Sequence, residues 1–190
     1  MKWGWAAALL FVGAVHAAEE KLKSGVFEPA RMAPTFALAG SDGTELRLDR
    51  YRGKVVILGF GFSHCPEICP TTLAKLAKAR KQMGAAASDV QVLYVTVDPE
   101  RDTPEQMRGY LALFDPTFIG GTGTPAQLEA VYKDYGITAT RFAGRAPGEY
   151  GFEHSTFVYL IDREGRLRAM APYGKSADDI AHDAAILLKP

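Results

Sequence analysis

Cys65 and Cys69 are the only cysteines in this 190-residue chain, four positions apart in Cys65-Pro66-Glu67-Ile68-Cys69-Pro70. They follow a strand-like run and precede a helix-like one. The end of a strand entering a helix is where an α/β fold presents its reactive groups. His154 lies 85 residues after Cys69, in a polar stretch just ahead of another apolar run. Two thiols and an imidazole offer a plain structural disulfide, thiol–disulfide exchange, or soft-metal binding.

Local chemistry bears on the choice. Pro70 suits the first position of a helix, which would make Cys69 its cap. A helix N-terminus carries roughly half a positive charge and favours thiolate over thiol. Helical residues four apart hold their Cβ atoms about 5–6 Å from each other, whereas a disulfide wants about 3.5–4.5 Å. Two sulfurs each about 2.3 Å from a shared metal tolerate the wider gap. The spacing therefore leans toward metal, and Pro66, by keeping the segment irregular, leaves a disulfide open. His64 neighbours Cys65, but consecutive side chains of an extended segment point in opposite directions, so it is read as a non-ligand. His16 falls in the N-terminal leader and His182 among solvated charges of the last helix. Neither is a candidate.

The elements that must hold these residues can be read from the pattern. Phe36–Leu38 and Leu46–Leu48 flank Gly40-Ser41-Asp42-Gly43, a hairpin signal. Val55-Val56-Ile57-Leu58-Gly59-Phe60 is a continuous β-rich run, as expected of a strand buried on both faces. Leu73, Leu76, Ala77 and Arg80 recur at helical spacing in a segment extending to about Ala87, and Val90–Val97 is a second buried strand. Thr103-Pro104-Glu105 opens a helix through Phe114, with Asp102 or Thr103 as its cap. A further helix covers Pro125–Tyr135. Thr156–Ile161, the turn Arg163-Glu164-Gly165-Arg166 and Leu167–Ala171 form a second hairpin, and Ala177–Leu188 closes the chain as an amphipathic helix. Gly120-Gly121-Thr122-Gly123 lacks the lysine of a phosphate loop and reads as a helix-start turn. The expected fold is α/β: a thioredoxin-like mixed β-sheet flanked by helices on both faces, with an added N-terminal hairpin. In such a sheet the loop carrying His154 faces the cysteine loop. Redox thioredoxins place a cis-proline there, and this chain has no proline between Gly148 and Asp162.

The N-terminus bounds the compartment. Met1-Lys2 is followed by an uncharged stretch from Trp3 to Val15 and by Ala17-Ala18, the pattern of a cleavable secretory signal over residues 1–17. The stretch is shorter than the roughly 20 apolar residues that span a bilayer. Cleavage would leave 173 residues: an N-terminal arm over 18–33, mixed and partly ordered, and one domain over 34–190. The expected location is the periplasm, and the expected state a monomer. Lys plus Arg and Asp plus Glu balance at 22 each, so no basic surplus points to nucleic acid. Two cysteines in an exported chain of this length are one site rather than a disulfide framework.

At these residues the chain resembles the Sco (SenC) family of copper-binding, thioredoxin-like proteins. The resemblance rests on Gly59-Phe60-Gly61-Phe62-Ser63-His64-Cys65-Pro66-Glu67-Ile68-Cys69-Pro70 and Val97-Asp98-Pro99-Glu100-Arg101-Asp102-Thr103-Pro104. It continues through Gly121-Thr122-Gly123-Thr124-Pro125, Glu153-His154-Ser155-Thr156 and Tyr159-Leu160-Ile161-Asp162-Arg163-Glu164-Gly165, in the family's order and over about 33–188. It implies that Cys65, Cys69 and His154 bind one copper ion, as Cu(I) or Cu(II). It further implies help in assembling the binuclear copper centre of cytochrome c oxidase, by delivering copper, by reducing the acceptor's cysteines, or both. The partners implied are the copper-centre subunit, a periplasmic copper donor and a thiol reductant. Glu153 stands where the family more often has aspartate, and the cleavable signal contrasts with the family's common membrane anchor. Asp98 is a candidate for orienting His154, in which case Asp98→Asn lowers copper affinity.

Three functions follow: a copper metallochaperone; a thiol-disulfide oxidoreductase, with Cys65 attacking and Cys69 resolving; and a thiol peroxidase. Nothing marks a peroxide pocket, and only the first has use for His154.

Overall fold

The computed structural model describes residues 21–189; the expected signal over 1–17 lies outside the described residues. Eight strands form the main sheet: β1 (Gly25–Met32), β2 (Ala37–Gly40), β3 (Glu45–Arg47), β4 (Val55–Gly61), β5 (Val90–Thr96), β6 (Ile119–Thr122), β9 (Val158–Ile161) and β10 (Arg166–Ala171). Their spatial order is β1-β10-β9-β4-β5-β6-β2-β3, with β7 (Ala139–Ala143) and β8 (Tyr150–His154) paired as a separate hairpin. β4, β5 and β6 run parallel, and the remaining pairings are antiparallel. The helices are α1 (Ile68–Gln82), α2 (Pro104–Ala112), α3 (Pro125–Tyr135) and α4 (Ala177–Leu188).

β4 is buried at every position and lies between β9 and β5, as its unbroken apolar run requires. Its residues alternate between the faces. Gly59 and Gly61 face α1, while the Phe60 ring packs against Tyr132 and Tyr135 of α3 on the other side. α4 packs beside α1. Helices therefore cover both faces of a mixed sheet, the thioredoxin-like arrangement expected.

Four local expectations differ from the structure. The arm is not merely mixed: residues 25–32 form β1, an edge strand paired with β10. β1 is exposed at nearly every position, so it carries no hydrophobic alternation to read. The buried carboxylate of Asp183 on α4 fastens its start, accepting from the backbone N–H groups of Lys23 (2.7 Å) and Ser24 (2.9 Å). α1 stops at Gln82 rather than near Ala87, because Gly84 at φ 58 takes the left-handed conformation that ends helices, and a 3-10 turn over Gly84–Asp89 follows. Gly120 and Gly121 belong to β6; the helix-start turn lies just beyond, where Thr124 and Gln127 cap α3 reciprocally. A Cβ on Gly120 would sit 2.8 Å from Met107, and one on Gly121 2.6 Å from Leu46, so close packing demands residues of poor strand propensity. β7 is largely exposed and β8 half-buried, and this hairpin was not among the expected elements.

Candidate metal centre

Cys65, Cys69 and His154 come together at the C-terminal end of β4, with their ligand atoms all within 4.8 Å of one another. Each is placed by a different element. Cys65 sits in the loop leaving β4, where its N–H bonds the Phe62 carbonyl at 3.3 Å. Cys69 is the second residue of α1 and is buried. It does not cap the helix as expected. Glu67 occupies the cap position without a side-chain bond, and the Cys65 sulfur instead accepts from the Cys69 N–H at 3.4 Å. Pro70 is thus the third helical residue, and its missing N–H falls among donors that have no intrahelical partner in any case. His154 ends β8, so this hairpin delivers the third group.

The two thiols are not equivalent. A hydrogen bond from the Cys69 thiol lowers Cys65 to about 4, with bonds from His154 and from the backbone N–H groups of Cys69 and Glu67 adding to the effect against partial burial. The same bond to Cys65, together with burial, pushes Cys69 well up. A depressed group is charged above its folded value, so Cys65 is a thiolate through the neutral range and loses its charge only as pH falls toward about 4. Iodoacetamide should therefore modify Cys65 in the reduced, metal-free protein at a rate nearly flat from about pH 6 to 8, with Cys69 spared. A rate climbing through about pH 8.5, as for an ordinary thiol, would contradict this asymmetry. Peptide mass mapping of the alkylated sites reads it.

His154 is oriented from behind. Its Nδ1 lies 2.8 Å from the Ser155 carbonyl, and its Nε2 lies 3.4 Å from the Cys69 sulfur. A carbonyl only accepts, so Nδ1 carries a proton and Nε2 is the nitrogen turned toward the sulfurs. Asp98 does not perform this task. Its carboxylate is engaged by the Tyr150 hydroxyl, which donates at 3.0 Å, and by Arg101. The reason is topological: Asp98 closes β5 beneath the hairpin and braces its strand, while the neighbouring carbonyl already satisfies the ring.

That brace includes residues the sequence did not single out. Tyr150 is sandwiched between the guanidinium groups of Arg101 (3.8 Å) and Arg141 (3.6 Å), and Arg141 pairs with Glu100 at 2.9 Å. Tyr150, Phe152 and His154 alternate along β8 and so share one face. Phe62 closes the row, with its ring 5.6 Å from Phe152 and 5.9 Å from His154. Period-two aromatics ahead of the histidine were the available signal. His64, exposed, bonds Ser63 Oγ at 2.9 Å and stands outside the three-ligand group. His182 bonds Asp183 far from it. Between the cysteine loop and the hairpin runs an open groove of about 530 Å3, lined by Cys65, Glu67, Arg101, Phe142 and Phe152 among others.

The donor set fits copper. Two thiolates and an imidazole suit Cu(I) through the sulfurs and accept Cu(II) through the nitrogen as well. Metal–sulfur bonds of about 2.3 Å and metal–nitrogen bonds of about 2.0 Å put three ligands of one metal roughly 3.7–4.0 Å apart. The observed limit of 4.8 Å leaves about 1 Å or less to close on binding, a side-chain adjustment.

A match to the SCO1/SenC family spans residues 26–189. The chain belongs to that family. It is 34% identical over 149 residues to an SCO2-like protein of Rickettsia prowazekii, covering 78% of this chain and 69% of that protein. The share of the relative falls to 64% for the Rickettsia conorii counterpart, so the chain spans about two thirds of the relatives it matches. Among solved structures, ScoI of Bradyrhizobium japonicum with copper bound has a TM-score of 0.75 at 32% identity, covering 81% of this chain and 98% of its own. Apo Sco1 of Thermus thermophilus has a TM-score of 0.76 at 34% identity, covering 92% and 98%.

Proposed function

We propose that this protein is an exported copper carrier that helps assemble the binuclear copper centre of cytochrome c oxidase, holding one copper ion through Cys65, Cys69 and His154. The observation that carries the reading is the convergence of these three donors with the imidazole already presenting Nε2 to the sulfurs. Family membership and the copper-bound likeness support it. Copper is cargo here, so the site must also let it go. A half-buried Cys65 beside an open groove suits transfer to an incoming thiol of the copper-centre subunit, and the same face suits receipt from a periplasmic donor. Export rests on the secretory pattern of residues 1–17; no helix among the described residues is long and apolar enough to cross a membrane.

His154→Ala tests the reading. Loss of the imidazole should weaken Cu(II) binding by at least about a hundredfold, and Cu(I) binding by less, because both sulfurs remain. Titration of reduced wild type and variant reads both constants. Equal loss of the two oxidation states would count against a ligand role for the ring.

A second reading has its own observation in the unequal thiols. A Cys65 thiolate can attack an acceptor disulfide, forming a mixed disulfide and releasing one acceptor thiolate. Cys69, losing its proton, then attacks Cys65, expelling the second acceptor thiolate and leaving Cys65–Cys69 oxidised. An external thiol reductant must restore the pair. Reduced protein that takes up no copper yet efficiently reduces a protein disulfide would replace the carrier reading with this one.

A further inference from the structure

Tyr94 lies on β5 with 1% of its surface exposed, and its side chain reaches toward the Cys69 sulfur. In the parallel register Gly59 pairs with Tyr94 and Gly61 with Thr96. The Tyr94 ring therefore crosses in front of two glycines on the face that α1 covers. A Cβ on Gly59 would stand 2.9 Å from the ring. One on Gly61 would collide with the Tyr94 hydroxyl and stand 2.7 Å from the Cys69 sulfur. Hydroxyl and sulfur thus approach each other over Gly61, in a space that any side chain there would fill. The strand sequence Gly59-Phe60-Gly61 is what leaves that trough open.

Resting on the copper reading above, we infer that Tyr94 is a positioning residue for the bound metal: its hydroxyl donates a hydrogen bond to the Cys69 sulfur and biases the site toward Cu(I). The physical ground is charge. A phenol ionises only near pH 10 even in water, so at neutral pH it has a proton to give. Cys69 as a metal ligand is a thiolate, and a buried thiolate gains from each donor behind it, the Phe62 backbone N–H as well as the phenol, because no water competes. The bond draws electron density off the sulfur, which weakens its donation to Cu(II) more than it harms the softer Cu(I) bond. Hydrogen bonding around a ligating sulfur is one of the levers that set copper potentials. Cys65, half-exposed to the groove, has no comparable phenol, so the two sulfurs would differ in the complex as they do without metal.

The test compares wild type with Tyr94→Phe, which keeps the ring that fills the trough, and with Tyr94→3-fluorotyrosine, which keeps ring and hydroxyl and makes the phenol a stronger donor. Reduced proteins are titrated with Cu(I) and with Cu(II). Tyr94→Phe should move the sulfur-to-Cu(II) charge-transfer band to longer wavelength and weaken Cu(I) binding by about tenfold, the low end for loss of a partner behind a ligand, with less change for Cu(II). The fluorinated protein should move the band the other way, and it serves where Tyr94→Phe folds poorly. A band unmoved in the folded variants, or a Cu(I)-to-Cu(II) affinity ratio equal to that of wild type, overturns the role of Tyr94 and leaves the copper reading standing. Wild type that binds no copper overturns the copper reading itself, and this inference with it.

Discussion

Cys69→Ser should lower Cu(I) affinity by roughly a thousandfold. Metal sites built from protein thiolates and imidazoles are held by about 10–16 kcal/mol where this has been measured for zinc, so one of three donors accounts for about 4 kcal/mol. Serine nearly preserves the volume at a position that is 1% exposed and packed against Gly61. The loss is therefore chemical, a hard oxygen in place of a soft sulfur. The same substitution weakens the bond that does most to keep Cys65 a thiolate, since a thiol donor there becomes a hydroxyl of different reach. Alkylation of Cys65 near pH 6 should slow in the metal-free variant, and the affinity loss should appear in competition with a Cu(I) chelator. A variant that retains wild-type Cu(I) affinity would exclude Cys69 as a ligand.

The second large effect lies one layer beneath the metal ligands. Asp102 is fully buried and accepts from the Ser63 N–H (3.1 Å), Ser63 Oγ (2.5 Å) and Thr96 Oγ1 (2.6 Å). Thr103 rather than Asp102 caps α2, its Oγ1 accepting from the Gln106 N–H at 3.2 Å, which leaves the aspartate free to turn inward. Ser63 stands two residues before Cys65, so this carboxylate ties the cysteine loop to the end of β5. Asp102→Ala strands three donors, each costing about 1–3 kcal/mol when buried without a partner, with water recovering part. A net loss of about 3 kcal/mol lowers the Tm by about 10 °C for a domain of this size. Asp102→Asn keeps one acceptor oxygen and should lose less than half as much. Thermal unfolding of the metal-free proteins reads both, and an Asp102→Ala Tm within about 2 °C of wild type would show that the loop does not hang on this residue.

Much of the molecule was legible in advance because its signals are local. The all-apolar run of β4 marked a central strand, Thr103-Pro104 and Thr124-Pro125 marked helix starts, and Gly40 to Gly43 marked the first hairpin, each through chemistry confined to a few neighbouring residues. What escaped notice carries weaker ones. β1 is an exposed edge and the hairpin of β7 and β8 a partly exposed sheet of its own, each held by side chains from distant segments, Asp183 for the first and Asp98, Glu100 and Arg101 for the second.

The site divides along the same line. Residue type and spacing alone singled out Cys65, Cys69 and His154, because few residues do thiolate or soft-metal chemistry and this chain has only two cysteines. Only the tertiary structure decided how they differ. It makes Cys65 the thiolate and Cys69 its buried donor, gives the orienting of His154 to the Ser155 carbonyl rather than Asp98, and brings Tyr94 to the Cys69 sulfur. Hydrogen bonds and burial act over a few ångströms in space, and the partners that supply them here stand up to 85 residues apart along the chain.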